Sequence, residues 1–111
     1  MYATARDFAC FGQLYLRGGE WDGRRLLSEA WVRGAGEQHA TDPESGHGYG
    51  RHWWLWNSRP GVLAALGYEG QRTIVDTTRD VVVVHLGKWT RDTQPTLDAR
   101  LDAVVTAFPS L

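Results

Sequence analysis

The run Val81-Val82-Val83-Val84-His85-Leu86 constrains the fold of this chain more than any other segment. Adjacent β-branched residues favour a β-strand, and a strand without polar alternation is typical of one covered on both faces. Covering both faces of a sheet requires more layers than a chain of 111 residues readily supplies. The run therefore predicts a sheet flanked by helices, within a domain of which residues 1–111 form the C-terminal part.

Apolar residues at helical spacing predict one helix over residues 5–17 and another over residues 95–108. Thr4 and Asp7 form a capping-box pattern at the start of the first helix, and Gly18-Gly19 ends it. Ser28 begins a short helix between the two. In the last helix one apolar face is expected, made of Leu97, Leu101, Val104, Val105 and Phe108.

Strands are expected at residues 49–56, 62–66, 72–76 and 81–86. Residues 34–48 are rich in Gly, His, Asp, Pro and Ser and are expected to form a loop, and residues 77–80 a tight hairpin turn. The predicted fold class is α+β, an antiparallel sheet flanked by helices.

Composition argues against several classes of protein. A net charge of -1 argues against a nucleic-acid partner, and the single cysteine, Cys10, against a disulfide framework or a cysteine-based zinc site. No apolar run approaches the roughly 20 residues of a membrane span, and no signal peptide is expected. The histidines at 39, 47 and 52 do not follow a metal-binding spacing, so no metal site is expected. No other cofactor is expected either.

Three blocks occur in an order that resembles the C-terminal portion of the serine β-lactamase-related family: TARDFACFGQLYLRGGEWDGRRLLSEAWV, YGRHWWL and GYEGQRTIVDTTRDVVVVHL. That family comprises class C β-lactamases, DD-peptidases, related esterases and 6-aminohexanoate-dimer hydrolases. The resemblance implies a β-lactamase/DD-peptidase-like fold and acyl transfer through a seryl intermediate, on a small amide, lactam or ester. It leaves the compartment open, because relatives are both cytoplasmic and exported.

The resemblance also implies which catalytic groups to look for: a Ser-x-x-Lys nucleophile and base, a Tyr-x-Asn loop, and a Lys-Thr-Gly or His-x-Gly segment. Lys88 is the only lysine, and His85 stands three residues before it. No tyrosine is followed two residues later by asparagine. In the family these groups precede the first helix seen here, so this chain is expected to hold no catalytic residue and to be inactive alone.

The segment Gly67-Tyr68-Glu69-Gly70-Gln71 is similar to the family's strand entry, which reads Gly-His-x-Gly-Gln or Gly-x-His-Gly-Gln, so that Tyr68 or Glu69 stands in place of the histidine. The resemblance implies that Tyr68, Glu69, Gly70 and Gln71 line the substrate, with the Gln71 backbone N–H as an oxyanion donor. The alternative is an ordinary turn that needs its two glycines for backbone conformation.

The aromatic block suggests His52, Trp53 or Trp54 as further cleft-wall residues, against the default of core packing. A different hypothesis for the whole chain is a stand-alone tryptophan-rich module that binds a ring-shaped or apolar ligand. A third is a truncated product without function. Because few elements are available to cover the valine run, we also expect an exposed apolar surface and self-association.

Overall fold

The computed structural model describes residues 2–56 and 59–111 and divides them into two antiparallel sheets and three α-helices. The helices are α1 (Ala5–Leu16), α2 (Glu29–Ala35) and α3 (Gln94–Thr106), the last preceded by a 3₁₀ turn at Arg91–Thr93. A two-stranded hairpin contains β1 (Glu20–Trp21) and β2 (Arg24–Arg25). The larger sheet contains β3 (Ala40–Thr41), β4 (Gly48–Tyr49), β5 (Trp54–Leu55), β6 (Val62–Leu66), β7 (Arg72–Asp76) and β8 (Val81–His85). The α+β class is confirmed.

The first helix begins where the sequence predicts. The Thr4 hydroxyl accepts the Asp7 backbone N–H at 3.1 Å, and the Asp7 carboxylate accepts the Thr4 N–H at 2.9 Å. Both bonds of the capping box are therefore made. The chain leaves the helix through Gly18 and Gly19, whose φ angles of 65° and 92° suit glycine.

The six-stranded sheet is an antiparallel meander in the order β3-β4-β5-β6-β7-β8, so each strand pairs with its neighbours along the chain. The bounds of β6 and β7 match the prediction residue for residue. The helix α1 packs across β7 and β8, and a Cβ added at Gly12 would lie 2.8 Å from a Val82 methyl carbon. Glycine at this position therefore allows the helix to approach the sheet closely.

The valine run forms β8, as predicted, but none of its five residues is fully buried. The reason is its position at the edge of the sheet, where β7 is the only described strand that pairs with it. In the chain as it stands, the two faces of this strand are only partly covered.

The single strand expected over residues 49–56 is wrong. The structure has two short strands, β4 and β5, separated by a bend. His52 has a φ of 65°, and Gly50 lies so close to α2 that a Cβ would be 2.0 Å from the Ala35 carbonyl oxygen. The strand predicted over residues 49–56 is therefore interrupted where Gly50 lies against α2.

Two other expectations also need correction. The loop expected at residues 34–48 contains the β3–β4 pair. On α3, Leu97, Leu101 and Val105 are buried, but Val104 is nearly half exposed, because the sheet covers only a narrow line of the helix. The helix ends at Thr106 rather than at residue 108, and Phe108, beyond its end, is also nearly half exposed. Within the described ranges, no helix is long and apolar enough to cross a membrane.

Candidate substrate-binding surface

The turn between β6 and β7, residues 67–71, is closed by its own backbone. The Gly67 N–H donates to the Gln71 carbonyl oxygen at 2.7 Å, and the Gly70 N–H donates to the Gly67 carbonyl oxygen at 3.3 Å. Gly70 has a φ of 98°, and a Cβ at Gly67 would lie 2.7 Å from the Gln71 side-chain oxygen. Both glycines are therefore required by the turn itself.

The same turn is fixed to the segment that follows β8. The Gln71 side chain accepts the Glu69 N–H at 3.2 Å and donates to the Gly87 carbonyl oxygen at 3.5 Å. The Trp89 N–H donates to the Glu69 carbonyl oxygen at 2.7 Å, and the Lys88 ammonium lies 3.1 Å from the Glu69 carboxylate. In residues 2–56 and 59–111, neither the Tyr68 nor the Gln71 backbone N–H has a hydrogen-bond acceptor.

The Arg72 side chain is hydrogen-bonded to the turn, a contact that was not predicted from the sequence. The side chain is 5% exposed, and Nη1 donates to the carbonyl oxygens of Gly67 at 3.2 Å and Gln71 at 3.1 Å. Its Nε donates to Asp98 at 2.8 Å and its Nη2 to Gln94 at 3.1 Å, both on α3. The only signal in the sequence is an arginine at the first position of the predicted strand.

His85 supplies a second contact that the sequence did not reveal. Its Nδ1 lies 3.1 Å from the Gly70 carbonyl oxygen. Because a carbonyl oxygen only accepts, the hydrogen bond requires the proton on Nδ1. The end of β8 is thereby linked to the turn.

Tyr68, which is 85% exposed, lines two clefts at this end of the sheet. The first cleft, about 400 Å³, is lined by Trp54, Leu66, Gly67, Tyr68, Arg72, Arg91 and Gln94. The second, about 440 Å³, is lined by Tyr68, Glu69, Lys88, Trp89, Thr90 and Arg91. Aromatic rings and cationic side chains therefore surround the turn, together with its backbone N–H groups.

The three residues suggested as a cleft wall, His52, Trp53 and Trp54, lie in different environments in the structure. Trp54 lines the first cleft, and its ring packs edge-on against Tyr49 at 4.9 Å. Trp53 is 1% exposed and lies in the core, with its ring centroid 5.0 Å from that of Tyr15. His52 is exposed beside Trp31, at 6.1 Å between ring centroids, and lines neither cleft. Of these three residues, only Trp54 is brought together with the turn.

The described serines with hydrogen-bonded side chains stabilise local structure. The Ser28 hydroxyl accepts the Trp31 N–H at 3.1 Å and caps α2, while the Ser45 hydroxyl donates to Asp42 at 2.6 Å. In the part of the chain that the structure describes, no three His, Cys, Asp or Glu side chains are grouped as a metal site would require. None of the described residues that line the two clefts is a serine.

Comparison with known proteins supports a hydrolase relation. The chain is 34% identical over 97 residues to the 6-aminohexanoate-dimer hydrolase of Paenarthrobacter ureafaciens, a match that covers 78% of this chain and 24% of that enzyme. A solved structure of a candidate 6-aminohexanoate-dimer hydrolase from Bacillus anthracis superimposes with a TM-score of 0.76 at 25% identity, covering 93% of this chain and 28% of that one. No family model matches the sequence.

The chain thus spans about a quarter of the length of these relatives. The sequence match and the structural match each extend over most of this chain, and both are to 6-aminohexanoate-dimer hydrolases. The chain is related to the 6-aminohexanoate-dimer hydrolases, in agreement with its resemblance to the serine β-lactamase-related family.

Proposed function

We propose that this chain is the C-terminal portion of a serine hydrolase domain and forms one wall of its active site. The reaction is acyl transfer from an amide, lactam or ester. The nucleophilic serine and its base are supplied by polypeptide outside these 111 residues, so the chain alone is inactive. The observation that carries the proposal is the rigid turn at residues 67–71, with two backbone N–H groups available to a ligand.

The role of the turn follows from the charge that develops during acyl transfer. Attack on a carbonyl group places negative charge on its oxygen, and backbone N–H donors that are already oriented stabilise that charge. The Gln71 N–H is the donor in this proposal. Arg72 and His85 keep the turn in place through the contacts described above, and the Gln94 side-chain amide donates to the Tyr68 carbonyl oxygen at 2.8 Å.

Trp54 and Tyr68 form the adjoining wall. Their rings line the same cleft, where apolar parts of a substrate can pack against them. Tyr68 occupies a position close to that of the family's histidine, and its exposed hydroxyl can donate a hydrogen bond.

A chimera tests the proposal without knowledge of the natural upstream segment. The segment of the Paenarthrobacter ureafaciens enzyme that this chain matches is replaced by the chain, and circular dichroism verifies folding. We expect a folded chimera whose serine reacts with a fluorophosphonate probe and which hydrolyses the 6-aminohexanoate dimer. A folded, labelled chimera without hydrolysis would contradict the proposed contribution of this wall.

Three substitutions in the chimera separate the parts of the turn. Gly70→Val should lower kcat by about 100- to 1000-fold, the usual effect of losing one oxyanion donor, whereas Gln71→Ala should be mild. Gly70→Ala serves as the smaller change if the valine variant does not fold. Tyr68→Phe distinguishes a hydrogen-bonding role from packing. Full kcat in a folded Gly70→Val variant would make the segment an ordinary turn.

A further inference from the structure

The peptide unit between Gly70 and Gln71 contains the proposed oxyanion donor, the Gln71 N–H. The atoms of a peptide unit lie in one plane, and the described residues contain no cis peptide bond. In a trans peptide unit the carbonyl group and the N–H group point in opposite directions. A contact that holds the Gly70 carbonyl group therefore also fixes the direction of the Gln71 N–H.

His85 is the side chain that holds this carbonyl group. Its Nδ1 lies 3.1 Å from the Gly70 carbonyl oxygen, and the hydrogen bond requires the proton on Nδ1. The second ring nitrogen lies close to Gly87, where an added Cβ would be 2.8 Å from Nε2. The imidazole therefore lies between the Gly70 carbonyl oxygen and the backbone that follows β8.

The other available donor of the turn, the Tyr68 N–H, is held by different groups. It shares a peptide unit with the Gly67 carbonyl group, which accepts from Arg72 Nη1 at 3.2 Å and from the Gly70 N–H at 3.3 Å. Within the described residues, the Gly70 carbonyl oxygen accepts from His85 alone. The direction of the Gln71 N–H thus depends on a single side chain, and that of the Tyr68 N–H does not.

We infer that His85 is a positioning residue for the oxyanion donor: it directs the Gln71 N–H by donating a hydrogen bond to the Gly70 carbonyl oxygen. The inference rests on the proposed function and names the residue that orients its donor. The same bond polarises the peptide unit and strengthens its N–H as a donor. His85 lines neither cleft, so it acts through the backbone and not on the substrate.

Two substitutions separate this role from packing. His85→Asn keeps an N–H group at the same number of bonds from the backbone as Nδ1 but removes most of the ring, whereas His85→Leu keeps apolar volume and removes the donor. A side chain that only fills space is better replaced by leucine, and one that orients the peptide unit is better replaced by asparagine. His39→Leu is the matched control, because His39 is exposed and lines neither cleft.

Nuclear magnetic resonance spectra of the isotope-labelled 111-residue chain test the orientation directly, with circular dichroism to verify folding. We expect neutral His85 to carry its proton on Nδ1. His85→Leu should shift the Gln71 amide resonance and leave that of Tyr68 nearly unchanged, His85→Asn should largely preserve both, and His39→Leu should move neither. A proton on Nε2, or a Gln71 resonance that does not move in folded His85→Leu, would overturn the inference.

Kinetics of the chimera test the consequence for catalysis. His85→Leu should lower kcat by about 10- to 100-fold, the order expected for a misplaced group, with little change in KM, because the donor acts on charge that develops in the transition state. His85→Asn should retain most of kcat. Full kcat in His85→Leu, or a lower kcat in His85→Asn than in His85→Leu, would refute the positioning role. An unmodified chimera without activity would instead contradict the proposed function, and the spectra of the chain then decide the inference alone.

Discussion

Arg72 donates to the Asp98 carboxylate across 2.8 Å, and this ion pair joins the first residue of β7 to α3. The Arg72 side chain is 5% exposed and that of Asp98 is 29% exposed, so the pair is largely removed from water. Removing one partner from such a pair leaves the other charge poorly compensated. The contact therefore connects the stability of α3 with the geometry of the turn at residues 67–71.

We expect Asp98→Asn to lower the free energy of unfolding by about 1–3 kcal/mol, the range for a hydrogen bond to a charged group. Asp92→Asn is the matched control, because Asp92 is exposed in the 3₁₀ turn and should change stability by less than about 0.5 kcal/mol. Urea denaturation of both variants measures the difference. Equal losses of stability in the two variants would show that the ion pair between Arg72 and Asp98 does not stabilise the fold.

The adjacent residues Trp53 and Trp54 should differ strongly in their effect on stability. Trp53 is 1% exposed and stacks on Phe11, with 5.7 Å between ring centroids, so Trp53→Ala leaves a cavity and should cost about 3–5 kcal/mol. Trp54 is only half-buried at the cleft, and Trp54→Ala should cost about 1 kcal/mol. Thermal unfolding compares the two. A loss from Trp54→Ala as large as that from Trp53→Ala would contradict the assignment of Trp53 to the core.

The buried carboxyl group of Asp76 leads us to expect that the folded protein loses stability in acid. The Asp76 side chain is fully buried at the end of β7, and burial alone would raise the pKa of its carboxyl group. Hydrogen bonds from Thr78 and Arg79 outweigh burial and hold that pKa below the usual value of 3.8. A carboxyl group with a lower pKa in the folded state contributes stability above its unfolded pKa and loses it as pH falls through the folded one.

We therefore expect the free energy of unfolding to fall as pH decreases below about 4. Asp76→Asn should be less stable at neutral pH and should show a weaker dependence in this range. Denaturant titrations of both proteins from neutral to acidic pH provide the measurement. Parallel pH profiles would rule out Asp76 as a source of the acid sensitivity.

The isolated chain should show no hydrolytic activity, because no serine in it has a lysine three residues later. Purified protein incubated with nitrocefin, p-nitrophenyl esters and a fluorophosphonate probe is expected to give neither turnover nor a serine adduct. The Paenarthrobacter ureafaciens enzyme, treated with the same probe, is the positive control. Stoichiometric labelling of Ser28, Ser45, Ser58 or Ser110 would refute this. Of these four serines, Ser58 lies outside the described residues.

The elements predicted best from sequence are those that local patterns determine. The strand β6 is an apolar run, β7 is centred on Ile74 and Val75, and both are bounded by turn residues. The capping box at Thr4 and Asp7 is a local exchange of hydrogen bonds. The tryptophan segment fails because its bend accompanies the contact between Gly50 and Ala35, which periodicity does not reveal. For the same reason sequence identified the turn but not Arg72, whose acidic partner lies on a helix 26 residues away.

The packing of α1 against β8 has a consequence for how the chain folds while it is being synthesised. The helix is made first, yet the strand that it covers emerges only after Val81. At about 5–20 residues per second, translation leaves the apolar side of α1 without its partner for several seconds. During that interval the apolar side of α1 is open to chaperones and to aggregation.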